Sequence, residues 1–146
     1  MVLFFPLSIM FDFFPSPELV RLLRASHTVA VVGLSPNPER PSHQVAVYLQ
    51  AAGYQIIPVN PGHAEILGQP CYPDLLSVPV PIDIVDIFRK AEAVEPIVRE
   101  AIAISAKVIW MQQGVVNETA ARLAEEAGLT VVMDRCLKVE LERLSR

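Results

Sequence analysis

The fold is decided by the stretch Thr28–Tyr54, which reads TVAVVGLSPNPERPSHQVAVYLQAAGY. Its apolar start, Thr28–Val32, predicts a buried strand, and the proline-rich loop after it leads into a helix over residues 42–52. Gly53 ends that helix, and a second strand follows at once. Parallel-sheet proteins usually hold a phosphorylated ligand where a strand feeds a helix N-terminus, because the first N–H groups of the helix have no partner within it.

The loop of this stretch lacks the glycine fingerprint of dinucleotide-binding proteins. The pattern G-x-G-x-x-G would place glycine at Ser35 and Pro38, whereas the loop has only Gly33. Asn60 follows the second strand, where nicotinamide enzymes usually carry Asp or Glu against the ribose 2′-OH. An amide does not supply that carboxylate. The order of elements therefore favours a nucleotide ligand, and the loop argues against NAD(P).

Short apolar segments alternate with helical patterns along the whole chain. Strands are predicted at residues 28–32, 54–59, 82–88, 107–111 and 130–133, with helices near 16–26, 42–52, 92–104, 117–128 and 137–144. This alternation predicts an α/β fold: a Rossmann-like doubly wound parallel five-stranded sheet with helices on both faces. The carboxyl ends of all five strands then share one edge, and the ligand is expected there.

The length and net charge of the chain favour a single domain and argue against a nucleic-acid-binding protein. The chain has 146 residues, 52% of them hydrophobic, and a formal net charge of -4, which suits one domain and argues against nucleic-acid binding. A small phosphorylated ligand needs only a local positive site. The two cysteines, Cys71 and Cys136, form no CxxC pair, so we expect no metal site and reduced thiols in a cytoplasmic protein.

The N-terminal residues differ from the rest of the chain. Residues 1–14 contain five phenylalanines, yet they lack a basic signal-peptide start and are too short for a membrane span. We interpret residues 1–15 as an apolar arm that packs on the domain or on a partner subunit, or as the product of a mis-assigned start codon. Residues 16–146 then form the ligand-binding domain.

Candidate ligand contacts lie in the segments that follow the predicted strands. Gly33 and Ser35 can bring a backbone N–H and a hydroxyl to a phosphate, or they can simply form a tight turn. Arg40 and Arg89 are candidate phosphate contacts, with solvated surface arginines as the alternative. The full candidate set is Gly33, Leu34, Ser35, Pro36, Arg40, Asn60, Pro61, Phe88, Arg89, Gln112, Gln113 and Gly114.

No pattern of catalytic residues is visible in the sequence. The three histidines have no evident nucleophile or acid partner, and there is no carboxylate pair and no nucleophile elbow. Asp134 and Arg135 are interpreted as an internal ion pair next to a small buried thiol, Cys136. The sequence therefore predicts a protein without catalytic or metal-binding residues, not an enzyme.

Taken together, these segments resemble the small CoA-binding proteins of bacteria and archaea. Their domain is similar to the N-terminal CoA-binding domain of the succinyl-CoA synthetase α subunit. The resemblance runs from about residue 18 to 144 and is carried by VVGLS (31–35), RPS (40–42), GY (53–54), PVNP (58–61), ILG (66–68), VDIFR (85–89), WMQQG (110–114) and VMDRC (132–136).

The resemblance implies a Rossmann-like fold that binds coenzyme A or an acyl-CoA. Carried over by position, the contacts come from residues 33–36, from Asn60 and Pro61, and from residues 112–114. The synthetase has a lysine near the end of its second strand that this sequence lacks near Asn60. The sequence also has no counterpart of the synthetase's phosphohistidine domain, so ligase activity is not implied.

Three hypotheses remain open at this point. The first is a non-catalytic CoA-binding protein, acting as a carrier, sensor or regulatory partner, with a homo-oligomer or another protein as partner. The second is an NAD(P)-dependent oxidoreductase or redox sensor, which the missing glycines and Asn60 disfavour. The third is a scaffolding subunit that kept the fold and lost the ligand.

Overall fold

A parallel sheet of five strands forms the centre of the computed structural model, which describes residues 14–145. The predicted N-terminal arm comprises residues 1–15, and residues 1–13 of it lie outside the described residues. The sheet order is β2-β1-β5-β6-β7, with strands Thr28–Val32 (β1), Gln55–Val59 (β2), Ile84–Ile87 (β5), Val108–Met111 (β6) and Thr130–Val132 (β7). The chain leaves β1 toward one edge of the sheet and returns to its other side at β5. The predicted doubly wound α/β fold is confirmed, with its switch point between β1 and β5.

Helices cover both faces of the sheet, because its strands carry apolar side chains on both faces. One face packs against α1 (Pro17–Ala25), α2 (Pro41–Ala51) and α5 (Leu137–Leu144), and the other against α3 (Val94–Ala103) and α4 (Glu118–Glu126). All five residues of β1 are buried. Side chains alternate along a strand, so the apolar run fills two cores rather than one.

Local sequence sets two of the helix starts as expected. The Ser16 side chain accepts a hydrogen bond from the Leu19 N–H at the start of α1, and Pro17 occupies the first helical position. Asn117 accepts from the Ala120 N–H in the same way at the start of α4. These caps satisfy N–H groups that the helix itself leaves unpaired.

The segment 63–80, rich in proline and glycine, is predicted from its sequence to be a loop with a possible turn of helix near residues 74–76, and the structure adds a hairpin to that turn. Two short strands, β3 (Glu65–Ile66) and β4 (Gln69–Pro70), pair antiparallel, and Leu75–Ser77 forms a turn of 3-10 helix. Strands of two residues are too short to produce an alternating pattern, which is why the sequence did not reveal them. The predicted third strand, 82–88, is also shorter, at Ile84–Ile87.

Candidate functional site

A cavity of about 850 Å³ opens at the carboxyl edge of the sheet, beside the switch point. The loop after β1 and the first turn of α2 form one wall, the segments after β5 and β6 form the floor, and α5 forms the other wall. The lining residues are Gly33, Ser35, Arg40, Pro41, Ser42, Gln44, Val45, Phe88, Arg89, Lys90, Gln112, Gln113, Val115, Cys136, Lys138, Val139 and Glu142.

The structure brings seven of the candidate residues together at this cavity: Gly33, Ser35, Arg40, Phe88, Arg89, Gln112 and Gln113. Pro61 instead lines a second, smaller cavity of about 220 Å³, which Arg89 also borders. The remaining candidates, Leu34, Pro36, Asn60 and Gly114, line neither cavity. Leu34 is fully buried and packs in the core under α2, although it stands in the middle of the loop.

Gly33 makes a tight junction between three strands. Its N–H donates to the Val59 carbonyl at 2.8 Å, and the Phe88 N–H donates to the Val32 carbonyl at the same distance. Its φ is 89°, and a Cβ at this position would collide with the Phe88 carbonyl oxygen. Of the two alternatives for Gly33, an N–H that faces a phosphate and a tight turn, the hydrogen bond favours the tight turn, because the Gly33 N–H is already bonded to Val59 within the sheet edge.

The rest of the loop is fixed by side chains that fold back on it. The Ser35 N–H donates to Ser42 Oγ at 3.0 Å, and the Asn37 N–H donates to Ser35 Oγ at 3.0 Å. His43 Nδ1 lies 2.9 Å from the Ser35 carbonyl oxygen, to which it donates, since a carbonyl only accepts. Sequence reasoning missed Ser42 and His43, whose roles depend on the loop curling over the first turn of α2.

The N-terminus of α2 leaves one backbone donor, the Ser42 N–H, free at the cavity wall. Its N-cap residue is Arg40, whose side chain makes no capping bond, and the first turn holds no acidic residue. Among the described residues, nothing accepts a hydrogen bond from the Ser42 N–H. A helix N-terminus in this state carries partial positive charge and can receive an anion.

Asn60 acts as a brace behind the cavity. Its Nδ2 donates to the Leu34 carbonyl at 2.8 Å, and Arg89 Nη2 donates to Asn60 Oδ1 at 3.3 Å. Both ends of the amide are therefore used to hold the loop after β1 and the Arg89 side chain. An aspartate here would lose the donor to Leu34, which accounts for an amide at this position.

The cavity is positive although the whole chain is acidic. Its lining includes Arg40, Arg89, Lys90 and Lys138 but only one carboxylate, Glu142. Within residues 14–145, none of these four cations forms an ion pair. The local charge therefore suits an anionic ligand, despite the formal net charge of -4.

The turn between β7 and α5 differs from its sequence interpretation. Asp134 and Arg135 do not pair: Asp134 Oδ1 accepts from the Gly114 N–H at 2.7 Å, and Arg135 lies 3.5 Å from Glu140. Asp134 has a φ of 59°, and its carboxylate bonds across to the turn after β6. Cys136, expected to be buried, is half-buried and lines the cavity.

Asp86 was not singled out by sequence reasoning, although it interrupts the apolar strand β5. Its side chain is fully buried, and neither carboxylate oxygen has a hydrogen-bond partner within the described residues. Burial raises the pKa of the Asp86 carboxyl well above its ordinary value. The available signal was a single acid within the run IVDIF, two residues before Phe88 at the cavity.

Residues 14–145 contain neither a cluster of metal-ligating side chains nor a membrane-spanning helix. No group of three or more His, Cys, Asp or Glu side chains is placed to hold a metal ion. No helix there is long and apolar enough to cross a bilayer.

Comparison with known proteins agrees with this geometry. A family model described as a CoA binding domain matches residues 27–142, and the chain belongs to this family. The protein named Uncharacterized protein YneT of Bacillus subtilis (strain 168) is 46% identical over 122 residues, which cover 84% of this chain and 90% of that protein. Acetate–CoA ligase (ADP-forming) I of Archaeoglobus fulgidus is 31% identical over 119 residues, covering 75% of this chain but 17% of the ligase.

Solved structures show the same fold. A hypothetical protein from Pyrococcus horikoshii OT3 superposes with a TM-score of 0.88 and 38% identity, covering 100% of both chains. A Thermus thermophilus protein superposes with a TM-score of 0.83 and 38% identity, covering 87% of this chain and 96% of that one. The resemblance drawn from the sequence segments is confirmed at the level of family and fold.

Proposed function

We propose that this protein binds coenzyme A, or an acyl-CoA, reversibly in the 850 Å³ cavity and carries out no reaction on it alone. Membership of the CoA binding domain family supports the ligand class. The observation that carries the proposal is the positive cavity at the switch point. Four cations that have no ion-pair partner within residues 14–145 line it, and the N-terminus of α2 at its wall has no side-chain cap. Neither the family match nor the cavity favours the NAD(P) hypothesis.

The ligand's phosphates are assigned to the wall formed by the loop after β1 and the first turn of α2. The Ser42 N–H and the Ser35 hydroxyl are donors there, and Arg40 and Arg89 supply full positive charge. The loop is held by its own side chains, so little conformational entropy would be lost on binding.

The hydrogen bonding of the histidine beside the cavity supports the proposed non-catalytic role. His43 lies beside it, but its Nδ1 is bonded to the Ser35 carbonyl and no described nucleophile or acid is paired with it. Holding or sensing CoA needs only affinity, and the cations that line the cavity support such affinity. A second copy of the chain or another protein would bind the CoA-bound form and the free form of this protein with different affinities.

The test compares coenzyme A with NADH by calorimetric titration and by thermal unfolding, in the presence of a reductant. We expect CoA to bind and to add about 2.7 kcal/mol of stability at roughly 100 times its Kd, by mass action on the native state. NADH at the same concentrations should leave the melting temperature unchanged. Equal stabilisation by the two nucleotides would contradict the proposal.

A further inference from the structure

The two sides of the cavity differ in charge. Among the described lining residues, the side formed by the loop after β1, by α2 and by the end of β5 carries Arg40, Arg89 and Lys90 and no carboxylate. On the α5 side, the formal charges of Lys138 and Glu142 cancel. A ligand with an anionic end and a neutral end therefore fits the cavity in one orientation, with its phosphates at α2 and its neutral end at α5.

Gln112 presents a fixed hydrogen-bond donor on the neutral side. Its Oε1 accepts the Leu137 N–H at 3.3 Å, and because an N–H only donates, the amide oxygen must face Leu137 and Nε2 is left for another partner. Gln112 is only 6% exposed, yet it lines the cavity. Within residues 14–145 its Nε2 has no acceptor, and unlike the Asp86 oxygens it is not enclosed in the core. Nε2 therefore offers the cavity a donor that is costly to leave unpaired.

The first turn of α5 adds further donors on this side. Cys136 is the N-cap residue of the helix and its side chain makes no capping bond. Within the described residues, the N–H groups of Lys138 and Val139 have no acceptor. Glu142 on the same wall disfavours a second anion there. Donors without net charge suit a neutral acceptor, such as a carbonyl oxygen.

Apolar surface adjoins these donors. Val115, Cys136 and Val139 line the same side of the cavity, and a neutral thiol packs like a small apolar group. Val139 remains exposed, so a ligand in the cavity would remove apolar surface from water. A donor next to apolar side chains matches a carbonyl group that is followed by a hydrocarbon chain.

Resting on the proposed function, we infer that the α5 side of the cavity is an acyl subsite, formed by Gln112, Val115, Cys136 and Val139. Its ligand is an aliphatic acyl-CoA rather than free CoA. The thioester carbonyl oxygen accepts a hydrogen bond from Gln112 Nε2, and the acyl chain covers Val115 and Val139. Free CoA carries a thiol in place of the carbonyl and the chain, so it leaves the donor unpaired and Val139 exposed.

A series of three ligands tests the acyl subsite. Calorimetric titration of the full-length protein, kept reduced with a phosphine in place of a thiol, compares CoA, butyryl-CoA and S-butyl-CoA, a thioether that has the chain but no carbonyl. We expect butyryl-CoA to bind roughly tenfold tighter than CoA, with S-butyl-CoA between them, from one hydrogen bond and partial burial of the chain. Equal affinities for CoA and butyryl-CoA would overturn the acyl subsite alone, whereas binding of neither would refute the proposed function as well.

A pair of charge-matched variants tests the donor. Gln112→Glu keeps an oxygen for the Leu137 N–H and replaces the donor by a second acceptor. Gln113→Glu adds the same charge at an exposed neighbour that also lines the cavity. We expect the added charge to weaken all ligands in both variants, but butyryl-CoA to lose its advantage over S-butyl-CoA only in Gln112→Glu. If Gln112→Glu weakens the three ligands alike, its amide binds the pantetheine part instead, and the inference is wrong.

A second pair of variants tests the chain contact without disturbing the Gln112 amide. Val139 and Val47 are both exposed valines on helices, and only Val139 lines the cavity. We expect Val139→Ala to weaken butyryl-CoA binding roughly threefold and CoA binding less, through the loss of apolar contact. Val47→Ala should change neither. Equal effects of the two substitutions on butyryl-CoA would contradict the placement of the acyl chain.

Discussion

At the scale of single residues, Arg89 is the side chain on which the proposed site depends most. It borders both cavities, it is half-buried, and Asn60 holds its guanidinium from behind at 3.3 Å. A fixed arginine loses less conformational entropy when it binds a phosphate than a mobile one does. Arg40, at the N-cap of α2, is exposed, and no hydrogen bond within residues 14–145 holds its guanidinium in the same way.

We therefore expect Arg89→Ala to weaken CoA binding by about 1–3 kcal/mol, roughly fivefold to 150-fold, through loss of charge-assisted hydrogen bonds. Arg40→Ala should have a smaller effect in the same direction. Calorimetric titration measures both, with Arg122→Ala on the exposed face of α4 as the control. If both variants bind CoA like the parent, the phosphates are held by backbone N–H groups instead.

Asp86 gives a second prediction at this scale, with a defined dependence on pH. Burial raises the pKa of the carboxyl in the folded state above its unfolded value of about 3.9. Between those two pKa values the folded protein binds more protons than the unfolded chain, so stability falls as the pH rises through this window. Below the unfolded pKa the carboxyl is protonated in both states, and the cost is absent.

Asp86→Asn keeps the shape of the side chain but cannot ionise. We expect its stability, relative to the parent, to increase as the pH is raised from about 4 to about 8. Urea denaturation at several pH values measures this slope, and Glu126→Gln on the exposed end of α4 controls for a surface carboxyl. The amide has its own burial cost, so the readout is the change with pH. Parallel curves for parent and variant would show that Asp86 does not titrate in this window.

At the scale of elements, the contact between the loop after β1 and the end of β5 sets the shape of the cavity. Gly33 and Gly128 have nearly the same φ, 89° and 93°, but of the two only Gly33 would place a Cβ against a neighbour, the Phe88 carbonyl. Around Gly128 a Cβ would meet nothing within 4 Å. The pair therefore separates backbone strain from steric collision.

We expect Gly128→Ala to lower the free energy of unfolding by about 1 kcal/mol, the cost of a left-handed conformation in alanine. Gly33→Ala should cost roughly 1–3 kcal/mol more, because the loop must also move away from β5. It should weaken CoA binding as well, whereas Gly128→Ala should not. Urea denaturation and calorimetry measure the two effects, and equal costs would mean that the loop yields without strain.

At the scale of the whole molecule, the topology of the sheet places several positively charged side chains around one cavity, although the net charge of the chain is negative. The winding of the sheet brings together segments that are far apart in sequence: the loop after β1, the ends of β5 and β6, and the first turn of α5. Each contributes one or two cations or amides. The result is a positive cavity on an acidic protein, which favours a small anionic ligand and not a polyanion.

Local sequence determined the five strands of the main sheet, the five α-helices and their order. Apolar runs, the caps at Ser16 and Asn117, and the stop at Gly53 are properties of neighbouring residues, and the family follows from motifs in their order. The tertiary structure decided which of the predicted residues at the strand ends line the cavity and which are used to hold the loop in place. No local pattern encodes contacts between distant segments. Such contacts produce the hydrogen bond from Arg89 to Asn60, the burial of Asp86 and the position of Cys136 at the cavity.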